Sequence, residues 1–597
     1  MVGLTDRKRV PQYVKRVITT IVDNVAETLR LQKKVTLKEI QDLHSKSITQ
    51  EHIEKWATGL EQGGIAALEG GAMDSQKLVA KHVPGAYQVV GKRKRIVEVL
   101  DSYELKLKTI PAYVEIVRMR GEFVANYILH RPEIAPATKA ILENVKVVLI
   151  RSPDLKTEEM TDPKMFHKID EKFTEGAKVE IEKAFPGIAK RDRDFLADMV
   201  VINMLGLGDI DIIMTDDYVE DVVVNSGYEP IQLYHRIYGW LRTNLTIGDE
   251  KKVREISESI ARRVGRQVTN LNPLLDAHLV SGDRVNATLI VISPKGNTVT
   301  IRRFARKPWT VVDMVKKGTI TNEIASFIWL AMQHEMNFLV IGGTGSGKTS
   351  VLNAILPFVQ PNHRIISIED TRELNLPEFM HWVSLVSRNP NPEGKGAITM
   401  LDLMINTLRM RPDRLIVGEV RAAEHAKVMF EAIHTGHSCY GTFHADSAAS
   451  AFRRLTEAPI SLPPVELQGL HLLVTAFRDR KLNRRRIAQI VELAPSMTEE
   501  GVDLNLVYRW EPRGDKFEKI NQSVRVFNDV EGNTGLSREE LEKDIRDKMM
   551  VIDWLVYNNV TDINTLGAVI ANYYLDQDRV LKLVKRNAAV AQIVRGW

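Results

Sequence analysis

The sequence predicts an α/β fold with a parallel sheet, and three observations lead to this prediction. From residue 318 to about 500, apolar strand-like segments alternate with helix-like segments, which is typical of parallel strands joined by helices. Residues 207–306 instead show short strands and turns around one amphipathic helix, which indicates a preceding α+β domain. After Leu536, apolar residues recur at helical spacing and predict a helical tail.

The composition narrows the class of protein. The chain has 597 residues and is 44% hydrophobic, which is enough for several domains with their own cores. Its 82 Lys and Arg residues against 77 Asp and Glu residues leave a net charge of +5, which is too small to indicate nucleic-acid binding by itself. The single cysteine, Cys439, excludes an intramolecular disulfide and a zinc site made of several thiolates.

The sequence also bears on location. No apolar run approaches the roughly 18 residues that a membrane span needs. The basic start, "MVGLTDRKRV", is not followed by the apolar core of a signal peptide. We therefore expect a cytoplasmic protein that associates peripherally with the cytoplasmic membrane. The basic run at 91–95 is either a solvated face or a weak attraction to anionic lipid.

Changes in pattern divide the chain into six expected parts. The first part shows helical spacing broken by glycines, and we favour a docking role for it over DNA binding. The parts are a helical or winged-helix-like docking module (1–100), a helical domain (101–206), an α+β domain (207–306), a linker (307–317), an α/β domain (318–510) and a helical tail (511–597).

A phosphate-binding loop is expected at Gly342–Thr349. This segment fits G-x-x-x-x-G-K-[ST], and it follows a strand-like segment and precedes a helix-like one, as the motif requires. Glycines let the backbone N–H groups wrap phosphates, Lys348 is placed to reach the β and γ phosphates, and Thr349 to bind Mg²⁺. The expected nucleotide-binding residues are Gly342, Gly343, Thr344, Gly345, Ser346, Gly347, Lys348, Thr349 and Ser350.

Two further strand-like segments end in acids. Glu419 ends "RLIVGEV", where P-loop enzymes place an acid that holds Mg²⁺ or orients the attacking water. The usual aspartate before it is replaced by Gly418. Glu369, Asp370 and Glu373 follow another apolar segment, either as help for Mg²⁺ or as an ordinary surface loop. Two acid-ended strands after one P-loop favour the metal interpretation.

Four motifs occur in the order found in the secretion-superfamily ATPases: "IGGTGSGKTS", "SIEDTREL", "RMRPDRLIVGEVR" and "TGHSCYGTFHADS". They resemble that superfamily's Walker A motif, aspartate box, atypical Walker B motif and histidine box. The resemblance covers about 207–510. It implies a RecA-like P-loop ATPase domain preceded by a PAS-like α+β domain, with ATP and Mg²⁺ as ligands. "SIEDTREL", "TIRRF" and the tail look most like the archaeal branch, and one cysteine cannot form the tetracysteine zinc insertion of many bacterial members.

The resemblance implies roles for individual residues at the sheet edge. Glu419 is the implied catalytic carboxylate. Glu369 and Glu373 are implied to lie near Mg²⁺ and water, with Thr349 as a further metal ligand. His444 is implied to sense the γ-phosphate.

Arginine fingers are implied in the α+β domain. "GDRVNA" and "TIRRF" match the places where this family keeps them, which nominates Arg284 and Arg302, with Arg303 as the alternative to Arg302. An arginine suits this role because charge spreads over the γ-phosphate oxygens in the transition state. Arg421, after the Gly-Glu pair, is a looser candidate for a subunit boundary.

The segment "HTGHSCYGTFHADS" invites a zinc interpretation, because H-x-x-H spacing stands beside a cysteine. Its apolar middle predicts a core strand instead, with Cys439 and Tyr440 as packing residues. His434 then ends a helix, and His444 follows the strand at the edge where ligands bind. Whether His437 contacts nucleotide or holds its loop stays open at this stage.

The resemblance further implies a ring motor that acts on a membrane. Members are usually homohexamers that push or rotate a polytopic platform protein. We therefore expect a motor for an archaeal pilus-like, archaellum-like or secretion machine. The alternative is a ring ATPase that translocates DNA or RNA. We expect no nucleic acid, because no aromatic stacking platform is interleaved with basic residues.

Overall fold

The computed structural model describes residues 10–32, 34–36, 50–62, 66–69, 77–80, 96–151, 166–279, 281–304, 307–388, 390, 394–479, 481–482, 484–496 and 501–594. The chain forms two compact units, Met1–Arg303 and Phe304–Trp597. The basic run at 91–95 lies outside the described residues. Within the described residues, no helix combines the length and apolar character needed to cross a bilayer.

The described residues of the first unit form fourteen strands and seven α-helices. The strands are β1 (Val17–Ile18), β2 (Lys34–Thr36), β3 (Ala66–Glu69), β4 (Lys77–Ala80), β5 (Ile96–Leu107), β6 (Ile110–Met119), β7 (Asn126–His130), β8 (Glu133–Ile134), β9 (Val219–Val224), β10 (Gln232–His235), β11 (Gly239–Thr243), β12 (Leu274–His278), β13 (Arg284–Thr288) and β14 (Thr298–Arg302). The helices are α1 (Ile21–Gln32), α2 (Gln50–Gln62), α3 (Pro136–Arg151), α4 (Phe166–Ala184), α5 (Lys190–Met204), α6 (Asp209–Ile213) and α7 (Glu250–Arg263).

The N-terminal part of this unit combines helices with a small sheet. Helices α1 and α2 accompany the antiparallel three-stranded sheet β2-β4-β3. Ile53, Trp56 and Leu60 of α2 are buried in the same core as Ile141 and Val145 of α3. The indole N–H of Trp56 also donates to the Ala184 carbonyl at 2.9 Å. One face of α2 is therefore used for packing within the chain.

The prediction of a helical domain over 101–206 is wrong for its first thirty residues. Strands β5, β6 and β7 fill this stretch and join a nine-stranded sheet of order β12-β13-β14-β9-β10-β11-β7-β6-β5. The link is the parallel pairing of Arg242 with Asn126. Strand β6 buries Ala112, Val114 and Ile116 at a period of two, which is a strand pattern. Residues 101–206 and 207–306 consequently share one sheet rather than forming separate domains.

The part of the second unit that the structure describes forms nine strands and eleven α-helices. The strands are β15 (Phe338–Ile341), β16 (Ile365–Glu369), β17 (Trp382–Val386), β18 (Arg414–Val420), β19 (Ser438–Phe443), β20 (Leu472–Asp479), β21 (Arg484–Pro495), β22 (Val502–Glu511) and β23 (Lys516–Lys519). The helices are α8 (Val311–Lys316), α9 (Asn322–Gln333), α10 (Lys348–Ile355), α11 (Met400–Thr407), α12 (Ala423–His434), α13 (Ala448–Thr456), α14 (Arg525–Thr534), α15 (Arg538–Tyr557), α16 (Ile563–Leu575), α17 (Gln577–Lys585) and α18 (Val590–Val594).

These strands form one sheet of order β17-β16-β18-β19-β15-β20-β21-β22-β23. The first six strands are parallel and the last three are antiparallel. The four parallel-strand segments seen in the sequence are β15, β16, β18 and β19, which are fully or mostly buried. The predicted α/β class is confirmed. The carboxyl ends of these four strands meet at one edge of the sheet.

Two predicted boundaries in the second unit are wrong. Residues 307–317 are not only a linker, because Thr310 and Asp313 form a capping box that starts α8 within the second unit. The sheet also continues past residue 510, since β22 ends at Glu511 and pairs with β23. The helical tail therefore begins at α14. Its second helix, α15, starts at a capping box formed by Ser537 and Glu540.

Candidate nucleotide site

The loop Gly342–Thr349 connects β15 to α10 at the carboxyl edge of the sheet. Gly345 and Gly347 have positive φ angles of 72° and 92°, a region that favours glycine. A Cβ atom on Gly342 would lie 2.3 Å from the Ala476 carbonyl oxygen, so only glycine fits there. Lys348 begins α10, so the N–H groups of the loop and of the first helical turn are available to an anion.

Lys348 lies among acids. Its Nζ donates to the Gly343 carbonyl at 3.3 Å. Burial lowers its pKa, and the nearby carboxylates of Glu419 and Glu373 partly oppose that shift. The P-loop lysine, the acid after β16 and the acid at the end of β18 are thus brought together, as the sequence predicts from three separate segments.

Arg421 connects the two acid-ended strands. Its guanidinium lies 2.7 Å from Glu419 Oε2 and 2.9 Å from Asp370 Oδ2. Ser387 Oγ donates to the other oxygen of Asp370 at 3.1 Å. The Glu419 carboxylate is one-quarter exposed, so it is positioned by Arg421 while remaining open to solvent.

Glu369 is placed differently from the expectation of a metal ligand. Its side chain is buried, and Oε1 accepts from the backbone N–H groups of Glu373 at 2.9 Å and Leu374 at 3.1 Å. Burial raises the pKa of this carboxyl to about 7. Oε2 is also buried and has no hydrogen-bond partner among the described residues. Glu369 therefore fixes the loop that carries Glu373, and its role toward Mg²⁺ stays a prediction.

The glycine before Glu419 has a packing reason. A Cβ on Gly418 would lie 3.1 Å from Glu369 Cγ and 3.2 Å from the Ile368 carbonyl oxygen. An aspartate at this position would crowd the adjacent strand end. Glu369 and Gly418 thus fit one another across β16 and β18.

The histidines divide between the two ends of β19. His444 follows the strand, and its Nε2 lies 3.0 Å from Thr344 Oγ1 of the P-loop. His437 precedes the strand and contacts Thr435 Oγ1 and the Ala432 carbonyl through Nδ1. A six-residue strand spans about 20 Å, so His437 holds the helix-to-strand turn far from the loop. His434 is exposed in the last turn of α12.

The structure also places the remaining residues of the histidine segment. Cys439 and Tyr440 are fully buried in β19, as expected of packing residues. Burial raises the pKa of the Cys439 thiol. Within the described part of the chain, no group of three or more His, Cys, Asp or Glu side chains is arranged to hold a metal ion by itself.

The nominated arginine fingers lie in the first unit. Arg284 and Arg302 are directly opposite each other on β13 and β14. Arg284 pairs with Asp276 at 2.8 Å, and Arg302 pairs with Asp221 at 3.2 Å. Arg303 instead donates to the backbone carbonyls of Asp216 and Val219, which is an anchoring contact. Their role as fingers stays a prediction.

Three charged residues beside the P-loop were missed by sequence reasoning. A Cβ on Gly343 would lie 2.9 Å from Asp446 Oδ1, one on Gly345 would lie 3.1 Å from Arg478 Nη1, and one on Gly347 would lie 3.3 Å from Arg485 Cδ. The available signal for the two arginines was the basic run from Arg478 to Arg486, which directly follows an apolar strand-like segment, and Asp446 lies in the segment "HTGHSCYGTFHADS". Only the strand pairing shows which of its arginines face the loop.

Comparisons with known proteins agree with this geometry. The model of the type II/IV secretion system protein family matches residues 244–478. The type IV secretion system protein PtlH of Bordetella pertussis is 30% identical over 261 residues, which cover 40% of this chain and 76% of that protein. The chain belongs to the type II/IV secretion system protein family. The prediction of a secretion-superfamily ATPase is thereby confirmed.

Two further proteins are similar to this chain. The uncharacterized protein MJ0900 of Methanocaldococcus jannaschii is 34% identical over 394 residues, which cover 62% of this chain and 71% of that protein. This relative fits the predicted archaeal branch. The X-ray structure of the Legionella pneumophila ATPase DotB is 20% identical with a TM-score of 0.36, and the match covers 65% of this chain and 96% of that one.

Proposed function

We propose that the chain is an ATP-hydrolysing cytoplasmic ring motor that drives an archaeal type IV pilus-like or archaellum-like filament, or a secretion machine. The observation that carries this proposal is the meeting of the P-loop, Glu419 and His444 at one sheet edge. Lys348 binds the β and γ phosphates, Glu419 accepts a proton from the attacking water, and His444 follows the γ-phosphate through its contact with Thr344.

The residues present fit a nucleotide with Mg²⁺. Ser346 Oγ in the loop and Glu369 Oε2 at the end of β16 are buried and have no hydrogen-bond partner among the described residues, so polar atoms remain for a ligand. Thr349 in the first turn of α10, together with Glu373, would hold the metal. When bound, Mg²⁺ neutralises charge on the phosphate oxygens.

The motor is proposed to act as a homohexamer on a polytopic membrane platform protein, with peripheral membrane association. In such a ring, Arg284 and Arg302 contact the γ-phosphate of ATP in only one conformational state of the ring. Hydrolysis returns the ring to its other state. Membership in a family that includes PtlH supports the secretion side of this proposal.

The nucleic-acid alternative is less well supported. Helix α2 is the one a winged-helix module would use to read DNA, but its apolar face is buried within the chain. Its exposed face carries Glu51 and Glu54, and Lys55 pairs with Glu51 at 2.7 Å. An acidic outward face repels phosphate, so a protein partner suits this module better than DNA.

The test is ATP turnover by the full chain with Mg²⁺. Glu419→Gln should lower turnover by about 10²–10⁴-fold while ATP still binds, because a positioned base is lost. Glu424→Gln is the matched control, since Glu424 is exposed on α12. Unchanged turnover in Glu419→Gln would contradict the base assignment.

A second arm separates the two kinds of motor. Turnover is measured with vesicles of anionic lipid and, separately, with single-stranded DNA or RNA. Stimulation by vesicles alone supports the membrane motor. Stimulation by nucleic acid alone would instead establish the translocating ring.

A further inference from the structure

The hairpin formed by β20 and β21 extends past the P-loop strand. β20 runs parallel to β15, and its last partner there is Thr475, opposite Ile341. Ala476–Asp479 continue beyond that point, so this part of β20 flanks the loop rather than the sheet. Across the hairpin, Arg478 is paired directly with Arg485.

Both arginines face the loop. Arg478 Nη1 would lie 3.1 Å from a Cβ on Gly345, and Arg485 Cδ and Nε would lie 3.3 Å and 3.7 Å from one on Gly347. Gly345 and Gly347 are the loop positions with left-handed backbone, where the chain curls around its anion site. Each arginine therefore lies against the glycines that would surround a bound phosphate.

The neighbouring arginines of β21 point to the opposite face, because successive side chains alternate. Arg484 and Arg486 both pair with Asp515, at 3.0 Å and 2.8 Å. The two faces of the hairpin therefore have different surroundings. Arg484 and Arg486 contact Asp515 on one face, whereas Arg478 and Arg485 contact the P-loop glycines on the other.

Two like charges directly opposite one another on a β-ladder repel. A phosphate group beside them would attract both guanidinium groups and offset that repulsion. Each planar guanidinium can also donate two hydrogen bonds to phosphate oxygens. An anion at the loop is also what the helix N-terminus and Lys348 attract.

We infer that Arg478 and Arg485 are phosphate-binding residues that act within their own subunit and hold the polyphosphate of a nucleoside triphosphate against the P-loop. This inference rests on the proposed function. It adds a binding element supplied by the same chain, distinct from the arginines of the first unit.

The test measures dissociation constants for ATP and ADP with Mg²⁺ by calorimetry on the full chain. Arg478→Gln and Arg485→Gln should each weaken binding about tenfold, and the double variant more, because a charge-assisted hydrogen bond to phosphate is lost in each. Arg484→Gln is the matched control from the same hairpin, and its affinity should stay within about twofold of the wild type. Unchanged affinity in the double variant would overturn the inference.

Two further variants keep the result interpretable. Arg478→Lys and Arg485→Lys retain the positive charge, so they should recover part of the affinity for ATP even where the glutamine variants fold poorly. If the lysine and glutamine variants had normal melting temperatures and lost affinity equally, that result would contradict phosphate binding. Lys348→Ala should abolish nucleotide binding. Loss in Lys348→Ala with none in the arginine variants would refute this inference alone, whereas a wild-type chain that binds no nucleotide would refute the proposed function.

Discussion

Two hairpins of this molecule carry the same local arrangement with different surroundings. In the first unit, Arg284 and Arg302 face each other across β13 and β14; in the second, Arg478 and Arg485 face each other across β20 and β21. The first pair is neutralised by two aspartates of its own unit. The second pair lies against the glycines of the P-loop.

A pair of opposed arginines on a hairpin can serve either of two steps, nucleotide binding or hydrolysis. An arginine held by an aspartate must exchange that partner for a phosphate, so it suits an interaction made only in one conformational state. An arginine beside the loop is already placed to contact a bound phosphate and suits binding. Variants of the first pair should therefore change ATP turnover, and variants of the second pair should change ATP affinity.

The largest effect is expected for the first pair. Arg284→Gln and Arg302→Gln should lower ATP turnover about 10³-fold, as for arginine fingers, with little change in the dissociation constant for ATP. Arg254→Gln is the control, because Arg254 forms an ordinary i,i+4 pair with Glu258 on α7. If Arg284→Gln and Arg302→Gln weakened ATP binding without lowering turnover, the first pair would act in binding, as is inferred for the second pair.

Arg303 is the alternative to Arg302 as an arginine finger, but it makes a different kind of contact. Its side chain donates to two backbone carbonyls, so Arg303→Gln should lower the melting temperature rather than the turnover number. A turnover loss as large as that of Arg302→Gln would make Arg303 the finger.

The next effect concerns Glu369, whose carboxyl group, like the Arg303 side chain, is hydrogen-bonded to the backbone. The pKa of Glu369 rises from an ordinary 4.5 to about 7 through burial, so the folded state holds an extra proton between these values. The contribution of Glu369 to the free energy of unfolding is fully present below about pH 4.5 and is lost as the pH rises through about 7. Glu369→Gln stays neutral, so its stability relative to wild type should rise by about 3 kcal/mol from pH 4 to pH 8.

The measurement is urea unfolding of the second-unit transition in EDTA, with the exposed Glu378→Gln as control. A difference that does not change with pH would mean that Glu369 ionises normally in the folded chain.

Much of this site could be predicted from the sequence because its parts are local. The P-loop needs glycines at fixed spacing, and buried parallel strands read as apolar runs that end at the ligand edge. Ser537 and Glu540 likewise mark their helix start through contacts three residues apart.

The rest depended on pairing between distant segments. Strands β5 to β7 were missed because proline and helix signals after residue 130 dominated the pattern. Arg478 and Arg485 could not be separated from Arg484 and Arg486, because a register shift between Thr475 and Ala476 decides the partner strand's alignment. Glu369 was expected near Mg²⁺, and its burial could not be predicted because that burial comes from neighbouring strands.

The histidines at the two ends of β19 offer a smaller test of position. His444→Ala should lower turnover about tenfold, since one hydrogen bond at the loop is lost. His437→Ala should change the melting temperature while turnover is kept, because its contacts hold a distant turn. Equal turnover losses would mean that the two ends of the strand are coupled.

The smallest effect is expected for Asp515, which pairs with Arg484 and Arg486 on the face of the β20–β21 hairpin that points away from the P-loop. Asp515 accepts hydrogen bonds from Arg486, Trp510 and Arg484, and the Arg486 bond holds the pKa of this carboxyl well below its usual range. Because the carboxylate is one-third exposed, Asp515→Asn should cost only about 1 kcal/mol, and less at about 0.5 M than at about 0.05 M salt. Thermal melts at the two salt concentrations check this, with Glu518→Gln on β23 as the control.

The same variant tests whether the faces of the hairpin act separately. Asp515→Asn leaves Arg478 and Arg485 in place, so its dissociation constant for ATP should stay within about twofold of the wild type. An affinity loss as large as that of Arg485→Gln would show that Asp515 orients the loop-facing arginines through the hairpin. In that case the second pair, like the first, would depend on an aspartate of its own unit.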